Sequence, residues 1–204
     1  MNILWLQSGG CGGCTMSLLC AEDPNVLALL AGAGLEFLWH PTLSEATGAP
    51  VRRMLEEIRE GRQALDILCV EGSILRGPNG TGRFHMLAGT GRSMLDWLRD
   101  LAPRAGHVVA VGTCATYGGV TSAGDAVGVQ YDGAHPGGAL AADFRSRSGL
   151  PVINVAGCPT HPDWVTETLL MLAAGEMREE MLDGYGRPRF YADHLVHHAC
   201  PKNE

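Results

Sequence analysis

The chain has 204 residues, 46% of them hydrophobic, and a formal net charge of −7 at pH 7. That length builds one full domain with a sizeable core. An acidic chain with no basic stripe argues against a nucleic-acid partner, and no apolar run approaches the ~20 residues that span a bilayer.

In chain order, residues 2–6 form a short apolar strand, and residues 15–19 open a helix. Residues 26–33 are helical after the break at Pro24, and residues 35–39 form a second strand. Val51, Met54, Leu55 and Ile58 recur at helical spacing, so residues 51–59 are an amphipathic helix. Residues 65–70 are a third strand, and residues 94–101 a helix stopped by Pro103. Residues 107–111 and 152–155 are the fourth and fifth strands, with a helix expected near 139–145 between them. Residues 164–174 are a last strong helix ended by Gly175.

Strands alternating with helices predict an α/β fold: a flavodoxin-like, doubly wound parallel sheet with helices on both faces. The pattern weakens after Gly184. Residues 1–183 therefore read as one domain, and residues 184–204 as the beginning of a C-terminal region. The chain opens directly on a strand, with no charged leader or twin-arginine signal, so a cytoplasmic protein is expected.

Seven cysteines is an odd number, and no short-chain disulfide framework is apparent. Ligand thiols are expected rather than bridges. Cys11 and Cys14 follow the first predicted strand, Cys114 the fourth and Cys158 the fifth. Open α/β sheets place their sites at that carboxyl edge. Four thiolates gathered there suit an iron–sulfur cluster or a tetrahedral metal such as zinc. The 28 glycines, about twice the usual share, crowd around these cysteines at Gly9, Gly10, Gly12, Gly13, Gly112, Gly118, Gly119 and Gly157. Their backbone can approach a bound group closely and turn N–H groups toward it. Cys14 precedes a helix, so the positive end of that helix is expected to face the site. Cys20 and Cys69 read as small packing residues. Glu71 ends the third strand and belongs to the same edge, either as a proton acceptor or cluster hydrogen-bonding group or as a capping carboxylate.

The stretches Ser8-Gly9-Gly10-Cys11-Gly12-Gly13-Cys14, Val70-Glu71-Gly72-Ser73, Gly112-Thr113-Cys114-Ala115 and Gly157-Cys158-Pro159 together resemble the small, electron-transferring subunit of nickel–iron hydrogenases. The resemblance covers essentially the whole chain. It implies that Cys11, Cys14, Cys114 and Cys158 hold a proximal 4Fe–4S cluster. That cluster would lie beside the nickel–iron centre of a separate large subunit, in a heterodimer. Glu71 matches the glutamate that the family keeps near this cluster. Oxygen-tolerant relatives carry two extra cysteines where this chain has Gly13 and Gly119, so an ordinary four-cysteine cluster is implied.

His197 and Cys200 match the first two ligands of the family's distal cluster. No further cysteine follows, so the chain resembles a truncated member. Distal and medial clusters are expected only in a full-length relative, and His197 and Cys200 also read as ordinary tail residues. Residues 4–11 and 190–198 look like the cytoplasmic, hydrogen-sensing subgroup, which implies a sensor histidine kinase as a further partner. Two alternatives stand beside this reading: the small subunit of a catalytic uptake hydrogenase, and a flavodoxin-like FMN- or zinc-binding module without a hydrogenase partner.

Overall fold

The structure, a computed structural model, describes residues 1–122 and 124–194. Five parallel strands form the central sheet: β1 (Asn2–Gln7), β2 (Glu36–Trp39), β3 (Leu65–Glu71), β4 (Ala105–Val111) and β5 (Ile153–Val155). Their order is β5-β4-β3-β1-β2, the flavodoxin-like arrangement that the alternation predicts. Among the described residues, seven α-helices accompany them: α1 (Gly13–Leu18), α2 (Val26–Ala33), α3 (Ala49–Arg59), α4 (Met94–Leu101), α5 (Thr113–Tyr117), α6 (Pro162–Ala173) and α7 (Arg189–Ala192).

The strands are apolar on both faces because helices cover both. Side chains alternate along each strand. Leu4, Leu6, Leu68, Val70, Val108 and Ala110 meet α3 and α4 through Leu55, Ile58, Trp97 and Leu98. Ile3, Trp5, Ile67, Cys69, Val109, Val111 and Ile153 meet the opposite layer through Leu18, Leu29, Val165 and Leu169. Each large side chain so buried contributes about 1.5–3 kcal/mol. Trp5 and Trp97 are fully buried. Trp39 is half-buried, and its indole donates to the Ala46 carbonyl at 2.9 Å.

The helix expected near 139–145 does not form; that stretch is turns and irregular chain. Gln130 explains why. Its buried side-chain amide donates to the carbonyls of Ala141, Ala142 and Phe144. Carbonyls drawn onto one side chain are not free for a helical ladder.

Register places the site. Gln7 pairs with Glu71, Glu71 with Val111, and Val111 with Val155. Four strands thus end on one row, and the residues just past it leave side by side.

Candidate metal centre

Hydrogen bonds continue past the strand ends and bind the exit loops to one another. The Ser8 amide donates to the Glu71 carbonyl at 2.7 Å, and the backbones of Gly9 and Ser73 exchange two bonds of 2.9 Å. On the other side, the Gly112 amide donates to Val155 and the Thr113 amide to Gly157, both at 2.8 Å. The Gly157 amide returns a bond to the Thr113 hydroxyl at 3.1 Å. The Ser17 hydroxyl of α1 reaches the Thr160 carbonyl at 2.7 Å. The loops carrying the four edge cysteines are therefore a single hydrogen-bonded unit.

Cys11, Cys14, Cys114 and Cys158 all line one cavity of about 420 Å³, open mouth included. Gly10, Gly72, Gly157, Val111 and Pro159 are among its other walls, and Glu71 is its one carboxylate. The Gly13 amide donates to the Cys11 sulfur at 3.4 Å, as a glycine-rich ligand loop should. Gly112 holds φ of +87°, and a Cβ there would stand 2.4 Å from the Cys14 sulfur. A Cβ on Gly119 would stand 2.7 Å from the Cys114 sulfur, and one on Gly13 3.1 Å from the Cys11 sulfur. The excess glycine is thus space given to the thiols.

Burial pushes the Cys14 thiol up to about 11, aided by Glu71, Cys114 and Cys11 and opposed by a hydrogen bond from the Thr160 backbone. Cys114 is raised as well, by burial first and then by Cys158, Cys11 and Glu71. Thiols held up in this way must lose protons to become ligands, which a bound metal supplies the energy to do.

Glu71 is 3% exposed. One carboxylate oxygen accepts the amides of Cys14 and Thr15 at 3.1 and 3.0 Å. The other accepts the Trp5 indole at 3.0 Å, the Gln7 amide at 3.1 Å and the Thr15 hydroxyl. Burial pushes its pKa up, but the bonds from Thr15, Gln7 and Trp5 outweigh that and hold it below the usual carboxylate range. The carboxylate therefore both lines the cavity and caps α1. The amino end of α1 stands at the cavity: the Gly13 amide turns to the Cys11 sulfur, while those of Cys14 and Thr15 meet Glu71. Behind it, the buried His40 accepts the Thr42 amide on Nδ1, so its Nε2–H points at the Thr15 hydroxyl, 3.4 Å away. Nothing in the sequence marks His40 as part of this shell, because it sits at the end of an apolar strand.

Cys20 is exposed rather than packed, with its thiol directed to the Met16 carbonyl; Cys69 is fully buried as expected. The six-residue α1 ends before Cys20 can turn inward. His161 occupies the N-cap of α6, and its Nδ1 accepts the Asp163 amide at 3.3 Å, with Pro162 at the first helical position. His197 and Cys200 lie outside the described residues. Among the described residues, no three His, Cys, Asp or Glu side chains converge to hold a single metal ion. A thiolate-only donor set spaced around a cavity suits a polynuclear iron–sulfur group.

Residues 11–172 match the family described as NADH ubiquinone oxidoreductase, 20 Kd subunit. The F420 non-reducing hydrogenase II small subunit of Methanosarcina mazei is 33% identical over 98% of this chain and 57% of its own length. The actinobacterial-type NiFe-hydrogenase from Ralstonia eutropha superposes with a TM-score of 0.83 at 32% identity, over 98% of this chain and 61% of that one. The NiFeSe hydrogenase of Desulfomicrobium baculatum superposes with a TM-score of 0.74 at 30% identity, over 98% of this chain and 73% of that one. The chain thus spans 57% of the length of that Methanosarcina relative.

Proposed function

This chain belongs to the family of the NADH ubiquinone oxidoreductase 20 Kd subunit and, within it, to the hydrogenase small subunits, and on that premise we propose that it carries electrons for a nickel–iron hydrogenase. The observation that supports this best is the meeting of four thiols, from three distant loops, around one cavity at the sheet edge. Cys11, Cys14, Cys114 and Cys158 would hold a 4Fe–4S cluster. Such a cluster, when bound, supplies one-electron transfer.

The chain's own residues do the rest. Cys14 and Cys114 sit in short helices that fix their backbones. Glycines leave room for the sulfurs, and Glu71 anchors α1 so that Cys14 keeps its direction. Its hydrogen bonds hold it ionised, which suits an anchor rather than a proton donor at neutral pH.

A large subunit carrying the nickel–iron centre is the proposed partner. There, hydrogen would be split into protons and electrons. Met16 and Leu19, 69% and 51% exposed, stand with Cys11 at a second hollow of about 800 Å³, open mouth included, beside the cavity, where a partner can cover them. Residues 184–204 would begin a cluster-binding region, with His197 and Cys200 as its first ligands. Among the described residues no helix is long and apolar enough to cross a membrane. We assign the chain to the cytoplasm and to hydrogen sensing, with a histidine kinase downstream, on the likeness of residues 4–11 and 190–198 to that subgroup. Low turnover with artificial acceptors and a hydrogen-dependent change in kinase activity are expected; high turnover would point to an uptake enzyme.

The central test is iron, zinc and acid-labile sulfide per chain, on protein purified without oxygen beside its candidate large subunit. About four irons and four sulfides are expected. One zinc without sulfide would overturn the electron-transfer reading.

A further inference from the structure

After α6 the chain returns to the free edge of the sheet at β5. The Asn154 amide donates to the Gly186 carbonyl at 2.9 Å, and its side-chain amide to the Tyr185 carbonyl at 2.7 Å. Tyr191, in α7, completes the contact. Its hydroxyl donates to the Asn154 carbonyl at 2.8 Å and accepts the Ala156 amide at 3.0 Å. Its ring lies on Trp164 of α6, with centroids 4.3 Å apart and planes 13° from parallel. One side chain therefore touches the strand before Cys158 and the helix after it.

A hydroxyl suits this place because it donates and accepts at once. The Val155 carbonyl is taken by Gly112 in the next strand's loop. The Ala156 amide, one residue on, donates to the C-terminal segment instead. Cys158 needs such support more than Cys14 or Cys114 does. Cys14 and Cys114 lie in helices, whereas Cys158 lies in a turn and is exposed. That turn is held by Thr113 at Gly157 on one side and by Tyr191 at Ala156 on the other.

We infer that Tyr191 is a positioning residue for Cys158: its hydroxyl, bridging Asn154 and Ala156, fixes the strand exit from which the cysteine's turn leaves. The C-terminal segment thereby becomes part of the site. The consequence for ligation rests on the cluster reading above; the bridge itself does not.

Two variants separate the bridge from simple coverage of the sheet edge. Tyr191→Phe keeps the ring on Trp164 and removes the bridge. Trp164→Leu removes the stack and keeps the hydroxyl. Both are loaded without oxygen beside the large subunit, and iron release to a chelator is timed. Exchange of the Ala156 amide is followed by NMR in the cluster-free chain. Tyr191→Phe is expected to release iron roughly tenfold faster and to lose protection at Ala156, while Trp164→Leu stays within about twofold of wild type. Release from Tyr191→Phe at the wild-type rate, or equal acceleration in both variants, would overturn the inference. Should Tyr191→Phe not fold, the wild-type Ala156 amide decides: slow exchange upholds the bridge, and exchange at the free-peptide rate refutes it. A wild-type chain that takes up no iron would sink the functional reading, while amide exchange would still judge the bridge.

Discussion

Glu71 accepts five hydrogen bonds and so stays charged while buried at the cavity wall. The same network reaches His40, which is fully buried with its ring tilted 31° to that of Trp5, centroids 5.0 Å apart. Burial pushes the His40 imidazole down to about 4, with Glu71 pulling weakly the other way. The folded state thus keeps His40 neutral, while an unfolded histidine takes up a proton below about pH 6.5. Protons favour the unfolded chain across that interval. Stability should be full above about pH 6.5 and fall by about 3 kcal/mol on the way to pH 4, with Glu71 adding a further loss at lower pH as its carboxylate protonates. Urea midpoints of the cluster-free chain between pH 7 and 4 check this. A His40→Gln variant, less stable at pH 7, should show a flatter decline over the same range.

At the scale of elements, the stretch 139–145 between β4 and β5 holds its shape through one side chain rather than a helix. Gln130 spends its amide on the carbonyls of Ala141, Ala142 and Phe144, and its carbonyl oxygen on the Val152 amide at 2.9 Å. It thereby ties the irregular segment to the start of β5, the strand that leads into the turn of Cys158. Gln130→Ala would leave several buried backbone groups unpaired, so a loss of about 3 kcal/mol is expected, seen as a lower thermal midpoint. Apolar spacing alone suggests a helix near 139–145, because periodicity carries no trace of a hydrogen-bond partner ten residues earlier. The central strands and the helices α2, α3, α4 and α6 were legible because their apolar patterns repeat at the right period and their ends carry glycine or proline.

At the scale of the molecule, four strands end on one row, and the loops beyond them form the site. Met16 and Leu19 extend that face as exposed apolar side chains. Covering two such side chains contributes about 1.5–3 kcal/mol each, so Met16→Asp with Leu19→Asp should weaken binding to the proposed large subunit by roughly 100-fold or more. Co-purification of the two subunits reports this, and iron on the small chain should stay at the wild-type level, because neither side chain is a ligand. Loss of iron together with loss of binding would mean that α1 itself had been disturbed.

The sequence alone pointed to the parallel α/β sheet and to the edge on which Cys11, Cys14, Cys114 and Cys158 stand, because strand period, glycine placement and C-x-x-C spacing are local signals. Only the tertiary structure decided how those thiols are held. Glu71 caps a helix that begins at Gly13, His40 and Thr15 back it, Cys20 turns to solvent, His161 caps α6, and Tyr191 reaches Ala156 from 35 residues away. Most of these depend on hydrogen bonds between residues far apart in the chain, and on the length of α1, which no window of sequence contains.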